Sequence, residues 1–132
     1  MSLRSGDNLA EKGACMLLIV DDSAFSRKAT RLILERLGHQ VEEAKDVPQA
    51  LQLIATHDYQ CVLTDLLMPG LTGMDLLERV RAISRVPVAV ISCDVQQTTR
   101  QRCLNLGAVT VVHKPVDEAK ITEMLSLVLA SR

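Results

Sequence analysis

The sequence predicts a doubly wound α/β fold in three layers, a five-stranded parallel sheet with helices on both faces. Three observations carry that prediction: short runs that are almost purely apolar, segments of helical periodicity between them, and Gly, Pro or Asp where one gives way to the next. Parallel strands covered on both faces read as continuous apolar runs rather than alternations. Met16-Leu17-Leu18-Ile19-Val20 is the first such run. The first helix follows, with Phe25, Ala29, Leu32, Ile33 and Leu37 spaced as one apolar face and Gly38 as a left-handed stop. Residues 40–45 form a strand whose apolar positions are Val41 and Ala44, the pattern of a half-exposed edge.

The second helix carries Pro48 in its first turn and faces the sheet through Val47, Ala50, Leu51 and Ile54. Cys61-Val62-Leu63-Thr64 is the third strand, and Met74, Leu77, Val80 and Ile83 mark the third helix. Pro87 precedes the fourth strand, Val88-Ala89-Val90-Ile91, rather than interrupting it. Residues 95–106 form the fourth helix, the weakest of the set because the polar run from Gln96 to Arg102 leaves little apolar stripe. Ala108-Val109-Thr110-Val111-Val112 reads as a further strand buried on both faces. The last helix, residues 117–130, is capped by Asp117 and buries Ile121, Met124, Leu125 and Val128. Strands alternating with helices in this way demand right-handed crossovers.

At 132 residues the chain supplies one core, not two; residues 1–13 read as a flexible leader and 14–132 as the domain. Fifteen basic against sixteen acidic residues give a net charge of -1 and none of the positive field that collects nucleic-acid phosphates. No apolar run approaches the roughly 20 residues of a membrane span. Met1 to Ala14 lacks the apolar stretch of a signal peptide, so the expectation is a cytoplasmic protein without a membrane partner. Cys15, Cys61, Cys93 and Cys103 form no CxxC pair and read as reduced, small core fillers.

Ligands of an open parallel sheet bind beyond the carboxyl ends of its strands. The apolar runs end in Asp21-Asp22, Asp65, Ser92 and Lys114-Pro115. Three carboxylates, a hydroxyl and an ammonium therefore meet at one sheet edge. Carboxylates that close stay ionised when a cation neutralises them, and an oxygen-only set without histidine selects a hard ion, Mg²⁺ first. Such a site can position a phosphoryl group for attack by a carboxylate. Asp65 is the best nucleophile because it stands singly at a strand end, before the Gly/Pro loop Leu66-Leu67-Met68-Pro69-Gly70; Asp21 and Asp22 suit the metal.

Leu17-Leu18-Ile19-Val20-Asp21-Asp22-Ser23, the stretch from Leu63-Thr64-Asp65 through Met68-Pro69-Gly70 to Gly73, Ile91-Ser92 and Lys114-Pro115 together resemble the receiver domain of two-component response regulators, over about residues 15–130. The resemblance implies a flavodoxin-like sheet of order 2-1-3-4-5. It implies that Asp65 accepts a phosphoryl group from a histidine kinase, a phosphotransfer protein or a small acyl phosphate, in a domain that catalyses its own phosphorylation and dephosphorylation rather than acting as an enzyme on another substrate. It places Mg²⁺ on Asp22, Asp65 and the backbone carbonyl of Leu67, with Asp21 acting through water. Lys114 pairs with Asp65 before transfer and with phosphoryl oxygen afterwards, and Ser92 swings in as the switch.

The chain departs from the family pattern at three places. Val111 stands where the family usually has an aromatic rotor, Cys93 where a small alanine is common, and Leu67 where many receivers have a polar side chain, so that its own side chain is expected to screen the attacking water. Val109, Thr110 and Met124 do not match the charged dimer face of the winged-helix subgroup, whereas Leu127 and Leu129 widen the last helix as a contact or as lone exposed leucines. A chain ending at Arg132 is expected not to bind DNA itself, so its output passes to an unknown partner or a missing effector domain. Two other readings stand beside this one. One is a receiver-like scaffold with weak or no phosphorylation switching, which Val111 keeps open. The other is an aspartate-nucleophile phosphatase, which needs a second acid two positions after its nucleophile, where this chain has Leu67.

Overall fold

A computed structural model describes residues 16–94 and 96–130; the leader 1–13, Cys15 and the expected helix start at Val95 lie outside them. The elements are β1 (Met16–Val20), α1 (Ala24–Arg36), β2 (Gln40–Ala44), α2 (Val47–Thr56), β3 (Cys61–Asp65), α3 (Gly73–Val80), β4 (Val88–Ser92), α4 (Gln97–Asn105), β5 (Thr110–His113) and α5 (Glu118–Ala130). All pairings are parallel, and the sheet order is β2-β1-β3-β4-β5. Alternate residues of the central strands point to opposite faces. Leu18, Val20, Val62, Val88 and Val90 pack with α2, α3 and Cys103 of α4. Leu17, Ile19, Leu63, Ala89 and Ile91 pack with α1 and α5. Register brings the polar strand ends level. Val20 pairs with Thr64, so Asp21 and Asp65 leave adjacent strands together; Ser92 pairs with His113, one residue before Lys114.

Local signals account for the helix limits. Asp46 caps α2 by accepting from the Gln49 N–H at 2.9 Å, Thr72 and Asp75 form a reciprocal capping box on α3, and Asp117 accepts from the Lys120 N–H at 2.8 Å. Gly38 adopts φ +92° after α1, as a left-handed stop requires.

Four expectations need correction. The buried face of α1 is Thr30, Ile33 and Leu34, while Phe25 is 86% and Leu32 49% exposed and Ala29 faces solvent. Positions 25, 29 and 32 and positions 30, 33, 34 and 37 both satisfy helical spacing, but the second set offers Ile33, Leu34 and Leu37 together to the sheet face of Leu17 and Ile19 and so buries more apolar surface, with Arg27 and Arg31 reaching Glu43 on β2 from the flank. Helix α3 stops at Val80, so Ile83 is exposed and Leu76 fills the core. The Arg81 guanidinium then bonds the carbonyls of Ser84 and Val86 and turns the chain toward β4. Strand β5 spans Thr110–His113 and is an edge, leaving Val111 and Val112 half-buried, because an apolar run looks the same at an edge as at the centre. Cys93 is exposed rather than a core filler, unlike Cys61 and Cys103. Helix α4 is as weak as its composition indicates, with Cys103 as its buried residue and no side-chain cap at Gln96.

Glu43 accepts from Arg27 Nε at 2.8 Å and also from Arg31, and these two guanidiniums, Arg27 first, hold its carboxyl below the usual glutamate range despite partial burial. A folded pKa below the unfolded one stabilises fully above the unfolded value and is lost as pH falls through the folded one. Glu43→Gln is therefore expected to flatten the acid limb of the stability curve, measured by urea unfolding between neutral and acidic pH; an unchanged slope would show that the tether does not contribute.

Candidate functional site

The strand ends converge on one cluster. Asp21, 4% exposed, follows β1, and its backbone is held on both sides: its N–H bonds the Ala44 carbonyl at 3.1 Å and its carbonyl accepts from Arg27 Nη1 at 2.7 Å. Its carboxylate accepts from the Ser23 N–H at 2.9 Å and from Lys114 Nζ at 3.3 Å. Asp22 is exposed beside it. Asp65, half-buried at the end of β3, accepts from the Leu66 N–H at 3.0 Å and pairs with Lys114 Nζ at 3.4 Å. One carboxylate oxygen from each of Asp21, Asp22 and Asp65 lies within 4.8 Å of the other two.

Burial pushes the Asp65 carboxyl above the usual aspartate range; neighbouring Asp21 adds to the shift, while Lys114 and the Leu66 N–H oppose it. For Lys114 burial acts downward, but the carboxylates of Asp65 and Asp21 outweigh it and leave the ammonium more basic than an ordinary lysine. Formally three carboxylates face one ammonium. That imbalance of charge, with hard oxygen donors only, fits a divalent cation of the Mg²⁺ type.

Ser92 is buried at the end of β4, and its Oγ accepts from the Asp94 N–H at 2.9 Å. Asp94 in turn accepts from the Gln96 N–H at 2.8 Å and the Thr99 hydroxyl at 2.8 Å, so it anchors the start of α4 in place of the missing cap. Leu67 is 63% exposed in the loop after Asp65. Val111 is half-buried on β5, its carbonyl accepting from Arg100 Nη1 at 2.8 Å. The structure thus brings Asp21, Asp22, Asp65 and Lys114 together, and sets Ser92, Leu67 and Val111 on the elements that border them.

Sequence reasoning missed four residues here. Ser26 contacts Lys114, Arg27 and Glu43 hold the β1 end, and Gly73 lies against Asp65: a Cβ on it would sit 2.5 Å from the Asp65 carbonyl oxygen. No spacing signal points to Ser26, because Asp22 precedes the N-cap Ser23 outside α1 and the partner Lys114 is 88 residues away.

Comparison with known proteins agrees with this geometry. The response regulator receiver domain family matches residues 17–126. The chain is 34% identical over 115 residues to the sensory/regulatory protein RpfC of Xanthomonas campestris, covering 83% of this chain and 16% of that protein. It is 33% identical over 121 residues to the two-component response regulator ORR5 of Oryza sativa, covering 89% and 90%. Among solved structures, the chemotaxis protein CheY4 of Vibrio cholerae superposes with a TM-score of 0.82 at 25% identity, covering 88% and 99%. A CheY-like receiver domain protein of Methanospirillum hungatei superposes with a TM-score of 0.80 at 26% identity, covering 88% and 94%. This chain belongs to the response regulator receiver domain family. It is a signalling domain of the two-component class, and receiver domains of that class interact with histidine kinases or phosphotransfer proteins. It spans only 16% of the length of RpfC and 12% of the gliding motility regulatory protein of Myxococcus xanthus and of the sensor histidine kinase RcsC of Escherichia coli. Among the described residues no helix is long and apolar enough to cross a membrane.

Proposed function

We propose that Asp65 is the phosphoacceptor, taking a phosphoryl group from the histidine of a kinase or phosphotransfer protein, or from a small acyl phosphate. The observation that carries this is the meeting of Asp21, Asp22 and Asp65 within 4.8 Å, with Lys114 on Asp65. An Asp65 carboxylate oxygen attacks phosphorus; the bond to the donor's nitrogen or oxygen breaks as the acyl phosphate bond forms, and the donor leaves with the electron pair. Mg²⁺ would be held by Asp22, Asp65 and the Leu67 carbonyl, with Asp21 acting through water. When bound, the ion neutralises charge developing on the transferring oxygens. Lys114 supplies a second positive charge beside Asp65, first to the carboxylate and then to the phosphoryl group.

Ser92 then completes the switch. Turning its hydroxyl to the new phosphoryl oxygens withdraws the acceptor now used by the Asp94 N–H, and Asp94 anchors α4. With Val111 in the aromatic position, this loop is the route by which the phosphoryl group reaches α4. Dephosphorylation is the attack of water on the same phosphorus, past the exposed Leu67 side chain. Leu67→Asn is expected to raise the loss rate several-fold by admitting and orienting that water, as read by intact mass over time; an unchanged rate removes Leu67 from this role. The output passes to a cytoplasmic partner protein or to an effector domain on a longer chain.

The test of the whole reading is intact mass after incubation with a small acyl phosphate. A gain of one phosphoryl group that requires Mg²⁺ is expected. No gain under conditions that modify a control receiver hands the lead to the scaffold reading. The phosphatase reading is disfavoured by exposed, apolar Leu67, which cannot act as the second acid.

A further inference from the structure

We propose that Ser26 is a positioning residue for Lys114, holding the ammonium in place while Asp65 changes charge; this rests on reading Asp65 as the phosphoacceptor. An ammonium has three hydrogens to donate and no acceptor. Lys114 Nζ has three oxygen partners: Ser26 Oγ at 3.1 Å, Asp21 Oδ2 at 3.3 Å and Asp65 Oδ1 at 3.4 Å. The shortest of these contacts is the neutral one. Ser26 itself is fixed in the first turn of α1, where its N–H bonds Ser23 Oγ at 3.2 Å. The next residue, Arg27, ties that turn to the Asp21 carbonyl and to Glu43. Ser26 is partly buried, and its hydroxyl accepts from Lys114 Nζ.

The chemistry explains why a neutral partner matters. A lysine stem is long and flexible, and its head is a point charge without preferred direction. Held by carboxylates alone, it follows whichever carries more charge, and Asp65 changes from a monoanion to a bulkier acyl phosphate during the reaction. A hydroxyl on α1 offers an acceptor whose strength is unaffected by that change. With Asp21 it forms a two-point anchor on the β1–α1 side, leaving the third N–H to Asp65 and later to phosphoryl oxygen. The Ser26 hydroxyl bonds the Lys114 ammonium, and it acts on the transfer through that lysine.

The experiment compares Ser26→Ala and Ser26→Thr with the unaltered protein, each checked for an unchanged thermal midpoint. Two readouts are taken: the ¹⁵N order parameter of the Lys114 ammonium without Mg²⁺, and the rate of phosphoryl gain from a small acyl phosphate with Mg²⁺. The expected result is a lower order parameter and a rate reduced about five- to tenfold in Ser26→Ala, the scale of one partly exposed charge-assisted hydrogen bond, with both restored in Ser26→Thr. A Lys114 ammonium equally ordered in all three proteins overturns the proposal, whatever the rates. Loss of order with an unchanged rate also overturns it, because the bond then does nothing for the transfer. If no protein gains a phosphoryl group yet order still depends on the hydroxyl, the phosphoacceptor reading falls while the hold of Ser26 on Lys114 stands.

Discussion

Asp65→Asn is expected to abolish the Mg²⁺-dependent mass gain completely while leaving the protein folded. Asparagine keeps the shape and the acceptor for the Leu66 N–H, so the end of β3 has no reason to move. Its amide offers no carboxylate oxygen to phosphorus and one negative charge fewer to Mg²⁺, so the reaction is lost while the fold is kept. Electrostatics point the same way. The Asp65 carboxyl is raised by burial and by Asp21, so removing its charge relieves repulsion at the cost of one 3.4 Å contact with Lys114, which retains Asp21 and Ser26. The thermal midpoint should be unchanged or higher. A variant that still gains a phosphoryl group places the acceptor elsewhere, with Asp21 and Asp22 the next residues to replace. A large drop in midpoint instead shows that the pairing of Asp65 with Lys114 outweighs the repulsion.

What could be read from the chain alone divides along physical lines. Central parallel strands bury both faces, so the stretches 16–20 and 88–91 were legible as apolar runs, and the polar residues that end them were legible as a site. Helix rotation was not. Phe25, Ala29 and Leu32 are as regularly spaced as Ile33, Leu34 and Leu37, and which set meets the sheet depends on packing against Leu17 and Ile19, which no local pattern encodes. The edge position of β5 was equally hidden, since Val111 and Val112 look like core until their neighbours are known. Within the site, Asp21, Asp22, Asp65 and Lys114 announced themselves by chemistry. Ser26 did not, because its contact with Lys114 spans 88 residues and depends on the angle at which α1 leaves the sheet. Gly73 lay inside the recognised motif, but the need for a missing side chain shows only when the helix start is seen against the strand end.

Gly73→Ala is the second substitution with a large expected effect. The added Cβ would lie 2.5 Å from the Asp65 carbonyl oxygen and 3.0 Å from the Leu66 Cα, both backbone atoms that cannot rotate away. The helix cannot easily retreat either. Its first turn is locked by the capping box of Thr72 and Asp75, and the Gly73 N–H bonds the Leu66 carbonyl at 2.9 Å. Alanine is favoured over glycine inside a helix by about 1 kcal/mol, whereas forcing a methyl into a packed contact costs about 1–3 kcal/mol. With backbone on the opposing side the steric cost prevails, and it is relieved by shifting the residue that carries the nucleophile. Gly73→Ala should therefore lower stability in urea unfolding and slow phosphoryl gain together. Gly70 supplies the contrast. Its φ of +78° makes alanine strained, but a Cβ there meets nothing within 4 Å. Gly70→Ala should cost stability through the backbone alone and leave the rate nearly intact. If the two variants lose rate equally, the close approach of α3 to Asp65 does not position the nucleophile, and the loop as a whole carries that role.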